Sequence, residues 1–267
     1  MLKLNQTSYK SIIQQIEKTP CGTVYPLSIA EMNQYGDIYK ERDSILLWHY
    51  CGFAFLYGAC DDCFLETIYN MFLSADSSLS RRFILFSANQ KVMTFFQNKQ
   101  DIVLGKRYNF EYPLEKASSR SEISSDYQIC QFNQKLFDSI SGRITPRFSW
   151  RDASEFLNHG MGYCVMYKEK TVSWAFSAAV SNDELDIGIE TVSDHRHMGL
   201  GFAVAEKMIQ YCFEQRKHPI WSCDANNTAS QKIAEKLGFV KSSEYITIRR
   251  SILIYLRSIN KHNAPER

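Results

Sequence analysis

Apolar positions along the chain fall into short strand-like runs and longer stretches with helical spacing, the pattern of a mixed α/β protein. Residues 8–18 place Ile12, Ile13 and Ile16 on one helical face. A second helix is predicted over 26–39, with Pro26 suited to its first turn. Two apolar strands follow at 44–50 and 52–57. The stretch 61–74 predicts a helix whose inward face is Phe64, Leu65, Ile68, Met71 and Phe72. A strand at 83–87, a helix at 90–98 and a strand at 108–112 complete this half.

Residues 114–126 hold five serines and five charged residues and little apolar content, so they read as a linker. The boundary is placed there, giving domains 1–120 and 121–267. Beyond it, 132–140 and 150–157 predict helices, 162–167 and 171–179 a hairpin, and 185–191 a third strand. A helix at 199–214, a short strand at 220–223 and a helix at 228–237 follow. That last helix stops at Gly238, a residue suited to the left-handed turn that ends helices. A strand at 245–249 precedes a basic, polar tail, 261–267. Both halves thus run helix, helix, strands, helix, strand, helix, strand. Their short strands end alike, at Ala88-Asn89 and Ala225-Asn226. The repetition is compatible with an N-terminal half that is a degenerate copy of the C-terminal one.

Composition narrows the function classes. With 45% hydrophobic and 22% charged residues, the chain has apolar material for a packed core. The net charge is +2 and neither half is strongly basic, which argues against a nucleic-acid partner held by charge. The first ten residues lack a signal-peptide apolar run, and the longest apolar stretch is broken by Gly52 and Gly58. No membrane association and a cytoplasmic location are therefore expected. The eight cysteines are scattered, as reduced and mostly buried thiols would be. Cys60 and Cys63 form a C-x-x-C, but no second pair or H-x₃-H accompanies it, so no metal site is assigned.

The informative run is 186–201. A strand ends near Thr191, a polar turn follows, and Arg196-x-x-Gly199-x-Gly201 opens an apolar helix. The first amides of a helix have no internal partner and sit at the positive end of its dipole, so such a turn suits a diphosphate. The dinucleotide fingerprint and the P-loop are both absent. A second run, Asn227 to Phe239, begins with Asn227 at a helix start and closes on Leu237-Gly238-Phe239. Together the two runs resemble the GNAT superfamily of acyl-coenzyme A-dependent N-acetyltransferases. Its first signature falls on Arg196, Gly199 and Gly201, its second on Asn227 and 237–239. The resemblance covers residues 127–249, and an extra N-terminal region precedes it, as in one subgroup.

The resemblance implies an α/β (α+β) fold with a mixed, mostly antiparallel sheet flanked by helices and preceded by a second α/β N-terminal domain. It implies acetyl-coenzyme A as cosubstrate and a small-molecule or peptide amine as acceptor, attacked directly in a ternary complex. Amides of His197, Met198, Gly199, Leu200, Gly201 and Phe202, with Arg196, would hold the pyrophosphate. Main-chain groups of Thr191, Val192 and Ser193, and Asn227 on the other wall, would hold the pantetheine arm. Direct attack needs a base, and Glu190 is the candidate, with Asp186 on the same strand face. One departure stands out. A tyrosine that often protonates the leaving thiolate is here Ala234, so thiolate release goes unassisted, or Ser230, Cys223 or Tyr245 substitutes, or rapid catalysis has been lost. That gap favours an alternative, a non-catalytic acyl-coenzyme A or metabolite sensor. A homodimer surface on the N-terminal half is compatible with either reading.

Overall fold

The computed structural model describes residues 1–79, 81–113 and 123–251. The first half opens with β1 (Leu2–Lys3), a 3₁₀ segment (Gln6–Gln15) and α1 (Val24–Ala30). Then come β2 (Gly36–Glu41), β3 (Ser44–His49), β4 (Phe53–Tyr57) and α2 (Asp62–Ile68), which continues as a π-turn to Leu73. β5 (Ile84–Ser87), α3 (Gln90–Gln97) and β6 (Ile102–Glu111) follow. The helix predicted over 26–39 is corrected. It stops at Ala30, Met32 takes a left-handed φ of 67°, and residues from Gly36 run extended against β3. Pairing with an apolar strand outweighs the local helical spacing there.

The second half comprises β7 (Gln128–Gln131), α4 (Gln134–Ser139), α5 (Ala153–His159), β8 (Gly162–Tyr167), β9 (Lys170–Val180) and β10 (Glu184–Thr191). It ends with α6 (Leu200–Glu214), β11 (His218–Asp224), α7 (Thr228–Leu237) and β12 (Val240–Arg250). The four-residue β7 carries too little pattern to have been predicted. Most of the predicted linker and the basic tail lie outside the described residues. Among the described residues, no helix is long and apolar enough to cross a membrane.

Among the described residues, all twelve strands join one sheet, in the order β1-β2-β3-β4-β5-β12-β6-β11-β10-β9-β8-β7. It reads the same from both edges. Four strands run antiparallel, the fourth pairs parallel with a fifth, and two central antiparallel strands follow. At the centre the halves exchange strands. β6 lies between β11 and β12, and β12 lies between β5 and β6. The sheet is therefore continuous across the predicted boundary, and each half completes the other.

Helices cover both faces. On β12, Ile248 packs in a cluster with Phe64 of α2 and Val92 and Phe96 of α3, whereas Tyr245 packs with Tyr25 and Ile29 of α1. Alternation along the strand puts these clusters on opposite faces. In the second half, Leu200, Val204 and Met208 of α6 pack with Leu185 and Ile187 of β10. Trp150, Trp174 and Trp221 are fully buried there. Burying a large apolar side chain contributes on the order of 1.5–3 kcal/mol, so this half has a well-anchored core.

Candidate active site

The sheet opens between β10 and β11. β10 and β11 are paired in parallel only across Glu184–Asp186 and His218–Ile220, yet they run on to Thr191 and Asp224. A bulge against β9 sits at the branch point, between Asp186 and Ile187. Beyond it, Ile187–Thr191 and Trp221–Asp224 face each other unpaired. An unpaired strand edge offers main-chain donors and acceptors to an extended guest.

Both strands lead directly into helix starts at the open end of the V. After β10, a 3₁₀ turn (Ser193–His195) and left-handed residues at His197 and Gly199 (φ 63° and 76°) lead into α6. Arg196 folds back over the strand end, its Nε donating to the Thr191 carbonyl at 3.3 Å. The Ala203 amide reaches the Gly199 carbonyl at 3.0 Å, so the amides before it lie in the unbonded first turn. The two glycines serve different needs. A Cβ on Gly199 would meet nothing within 4 Å, so Gly199 is there for its φ. A Cβ on Gly201 would come within 3.0 Å of Thr191 Oγ1 and 3.2 Å of Ile189 Cδ1, so Gly201 lets α6 pack closely on β10. His195 is built into an aromatic cluster, its ring near Tyr127 and Tyr167 and its Nδ1 3.3 Å from the Tyr127 hydroxyl.

Across the V, Asn227 caps α7, its Oδ1 accepting the Ser230 amide at 3.1 Å. Trp221 Nε1 donates to Ser230 Oγ at 3.0 Å, which leaves the hydroxyl proton free to be donated elsewhere. Cys223 lies beside Ser230, and burial raises its thiol pKa. Ala234 is fully buried in the core, where a tyrosine ring would have to displace packed side chains.

The face opposite α6 carries the acid-base groups. Glu190 Oε2 accepts the Ile144 amide at 2.6 Å and so holds the 140–146 loop. Asp186, only 4% exposed, accepts from the Tyr25 hydroxyl at 2.8 Å through Oδ2, while its buried Oδ1 has no partner. Burial pushes its pKa up to about 6, against the opposing pull of the Tyr25 hydrogen bond and the Arg107 charge. Asp186 lines a cavity of about 470 Å³ that takes in the V. Ile187–Ile189, Cys223, Asn227 and Ser230 come from the second half. Tyr25, Phe53, Arg82 and Arg107 come from the first.

Thr191 and Arg196–Gly201 thus follow the end of β10, and Asn227 and Ser230 follow the end of β11 across the V. The residues supplied by the first half went unpredicted.

Comparison with known proteins bears on what this opening does. A profile of the GNAT acetyltransferase family matches residues 20–248. The chain belongs to the GNAT acetyltransferase family. Membership reaches across both halves, well beyond the 127–249 that the motifs covered. This GNAT protein is an acetyl-CoA-dependent acyltransferase. It is 22% identical over 251 residues to an uncharacterized N-acetyltransferase of Bacillus subtilis, YdfB, covering 91% of this chain and 96% of the relative. Its fold matches that of a GCN5-related N-acetyltransferase-like protein from Streptococcus suis, with a TM-score of 0.69 at 20% identity, covering 92% of this chain and all of the other. A GCN5-related N-acetyltransferase from Kribbella flavida matches with a TM-score of 0.59 at 16% identity, covering 86% of this chain and 96% of the other.

Proposed function

We propose that this GNAT protein transfers an acetyl group from acetyl-CoA to an amine by direct attack in a ternary complex. The observation that carries the reading is the V between β10 and β11, with the α6 N-terminus at its mouth on one face and a buried carboxylate on the other. First-turn amides from His197 to Phe202, with Arg196, fit the pyrophosphate. Edges of Thr191, Val192 and Ser193 fit the amide-bearing pantetheine arm, and Asn227 closes the other wall. Acetyl-CoA supplies an activated thioester, so no covalent enzyme intermediate is required.

In the attack, the N–C bond forms, the C–S bond breaks, and the amine loses a proton. Two carboxylates stand on the acceptor face. Glu190, the base expected from sequence, accepts a main-chain hydrogen bond that also fixes the 140–146 loop. Asp186 lines the cavity, keeps one oxygen unpartnered, and has its pKa raised toward neutrality, which suits a general base. These features favour Asp186 as the base and Glu190 as the residue that positions the loop. Ser230 is the group on this side that can donate a hydrogen bond to the departing thiolate, which then takes its proton from water, since the Ser230 oxygen already accepts from Trp221. Ser230→Ala is expected to lower kcat about tenfold with KM for acetyl-CoA little changed. An unchanged kcat where chemistry limits turnover would remove Ser230 from the reaction.

The two proposed domains, 1–120 and 121–267, share this site. The first supplies Tyr25, Phe53, Arg82 and Arg107, and the second supplies the cofactor-facing V. The cysteines are all free thiols, which supports the cytoplasmic location expected from the sequence. Calorimetric titration with acetyl-CoA, followed by free-thiol release against a panel of amines, tests the proposal. Heat of binding and amine-dependent thiol release are expected, and absence of both would sink it.

A further inference from the structure

On the acceptor face, a second cavity of about 520 Å³ adjoins the V and shares Phe53, Arg82, Arg107 and Asp224 with it. Its wall is cationic. Arg81, Arg82, Arg107, Arg249 and Arg250 line it, against the single carboxylate of Asp224. Two of these arginines are occupied elsewhere. Arg81 forms an ion pair with Asp37 at 2.9 Å and donates to the Trp48 and His49 carbonyls. Arg250 donates to the Ser77 carbonyl at 3.1 Å. The other three are different. Among the described residues, Arg82, Arg107 and Arg249 make no ion pair within 4.0 Å.

Strand register explains why they meet. Arg249 of β12 pairs with Ile84, two residues after Arg82, while Arg107 of β6 pairs with Tyr245 of β12 and Asp224 of β11. Arg107, Tyr245, Thr247 and Arg249 therefore share the face on which α1 lies. The Arg82 and Arg107 guanidiniums lie 5.3 Å and 5.4 Å from the centroid of the same Phe53 ring. Arg107 also donates to Ser222 Oγ at 3.0 Å, and its buried Nε has no partner. Burial lowers the pKa of Arg82, and the Arg107 and Arg249 charges push it the same way. The three guanidiniums outnumber the carboxylates near them, Asp224 in the same wall and Asp186 beside Arg107, so they repel one another, and an anion of the right shape relieves that cost.

We propose that the acceptor is an amine that also carries an anionic group, a carboxylate or a phosphate, held by Arg82, Arg107 and Arg249. This rests on the acetyl-transfer reading above and names its substrate class. The cavities adjoin across Phe53 and Arg107, so an anion held in the second cavity leaves the amine of the same small molecule free to enter the V near Asp186. The planar, multi-donor guanidinium suits both carboxylate and phosphate oxygens.

Matched pairs test it: β-alanine against β-alaninamide, and phosphoethanolamine against ethanolamine, each assayed by thiol release from acetyl-CoA. At least one anionic member is expected to exceed its neutral partner in kcat/KM by tenfold or more, and the pair that does so distinguishes carboxylate from phosphate. Arg249→Met and Arg82→Met are each expected to reduce that ratio about tenfold, mainly through KM, and Arg249→Lys to restore part of it. Coenzyme A titration of each variant checks that the fold and the V are intact. A ratio near one in the wild type, or a ratio unmoved in both methionine variants, overturns the proposal. A separate arm isolates the acetyl-transfer reading. With coenzyme A saturating the V, inorganic phosphate is expected to raise the melting temperature of the wild type but not of the Arg82→Met, Arg249→Met double variant. That shift without turnover on any amine would leave the anion site standing and sink the acetyl-transfer reading; no shift overturns the anion site.

Discussion

Asp186→Asn is expected to lower kcat/KM by about 10²–10³-fold, within the range by which a positioned general base accelerates a reaction. The same change is expected to stabilise the fold at neutral and higher pH. In the folded protein, burial raises the pKa of Asp186 from 3.8 to about 6, so the fold favours the neutral acid. The stability this group contributes is fully present below pH 3.8 and is lost as pH rises through about 6. Above that, holding the ionised carboxylate costs on the order of 3 kcal/mol, from about 1.4 kcal/mol per pKa unit. Asparagine keeps an acceptor for the Tyr25 hydroxyl and cannot ionise. Its melting temperature should therefore exceed that of the wild type at pH 8, and the gap should close toward pH 4. Activity carries the opposite sign. Wild-type kcat/KM should rise with pH through about 6 as the base ionises. That limb should vanish in Asp186→Asn and persist in Glu190→Gln. A limb that persists in Asp186→Asn and vanishes in Glu190→Gln would return the base role to Glu190.

Such a residue is hard to see in the sequence. The sequence places Asp186 on the same strand face as Glu190 but shows nothing of its burial. Its role depends on the bulge at Asp186/Ile187, which opens the sheet, and on Tyr25, 161 positions away, which covers it. The proposed cofactor wall could be read from the sequence because its parts are local. A strand, a turn with left-handed residues and a helix start follow one another within 186–202, so spacing alone carries the geometry. The wall proposed for the acceptor is assembled by strand exchange. Arg107 reaches the site only because β6 crosses to lie between β11 and β12, and a charge in a strand-like run does not announce its neighbours.

The exchange also separates what was repeated from what was kept. β4 and β5 run parallel as β10 and β11 do, and α2 follows β4 as α6 follows β10. The helix start in the first half is chemically the reverse of its counterpart. Asp61 caps α2, its Oδ1 accepting the Phe64 amide at 2.9 Å, and Asp62 occupies the first turn. Two carboxylates fill and repel where the α6 turn leaves amides open. The first half thus has the same strand arrangement and contributes residues to the shared cavity, while an anionic group is disfavoured at its own helix start.

Gly199→Trp is expected to abolish acetyl-CoA binding, a loss of at least 100-fold in affinity by calorimetry, with only a modest fall in melting temperature. The two effects separate because of where Gly199 sits. It is exposed, and nothing lies within 4 Å of its Cβ position, so an indole there displaces no packed atom. What it does meet is φ 76°, a conformation that costs a non-glycine residue about 1–2 kcal/mol. That strain would lower stability without unfolding a twelve-stranded sheet. The indole would, however, stand at the first-turn amides, where the pyrophosphate must approach main chain. Gly199→Ala separates strain from bulk, since it carries the same φ penalty with one methyl group. Alanine should lose affinity by about tenfold or less and tryptophan by far more. Equal losses in the two would assign the effect to backbone strain, and full affinity in the tryptophan variant would place the cofactor elsewhere than the α6 N-terminus.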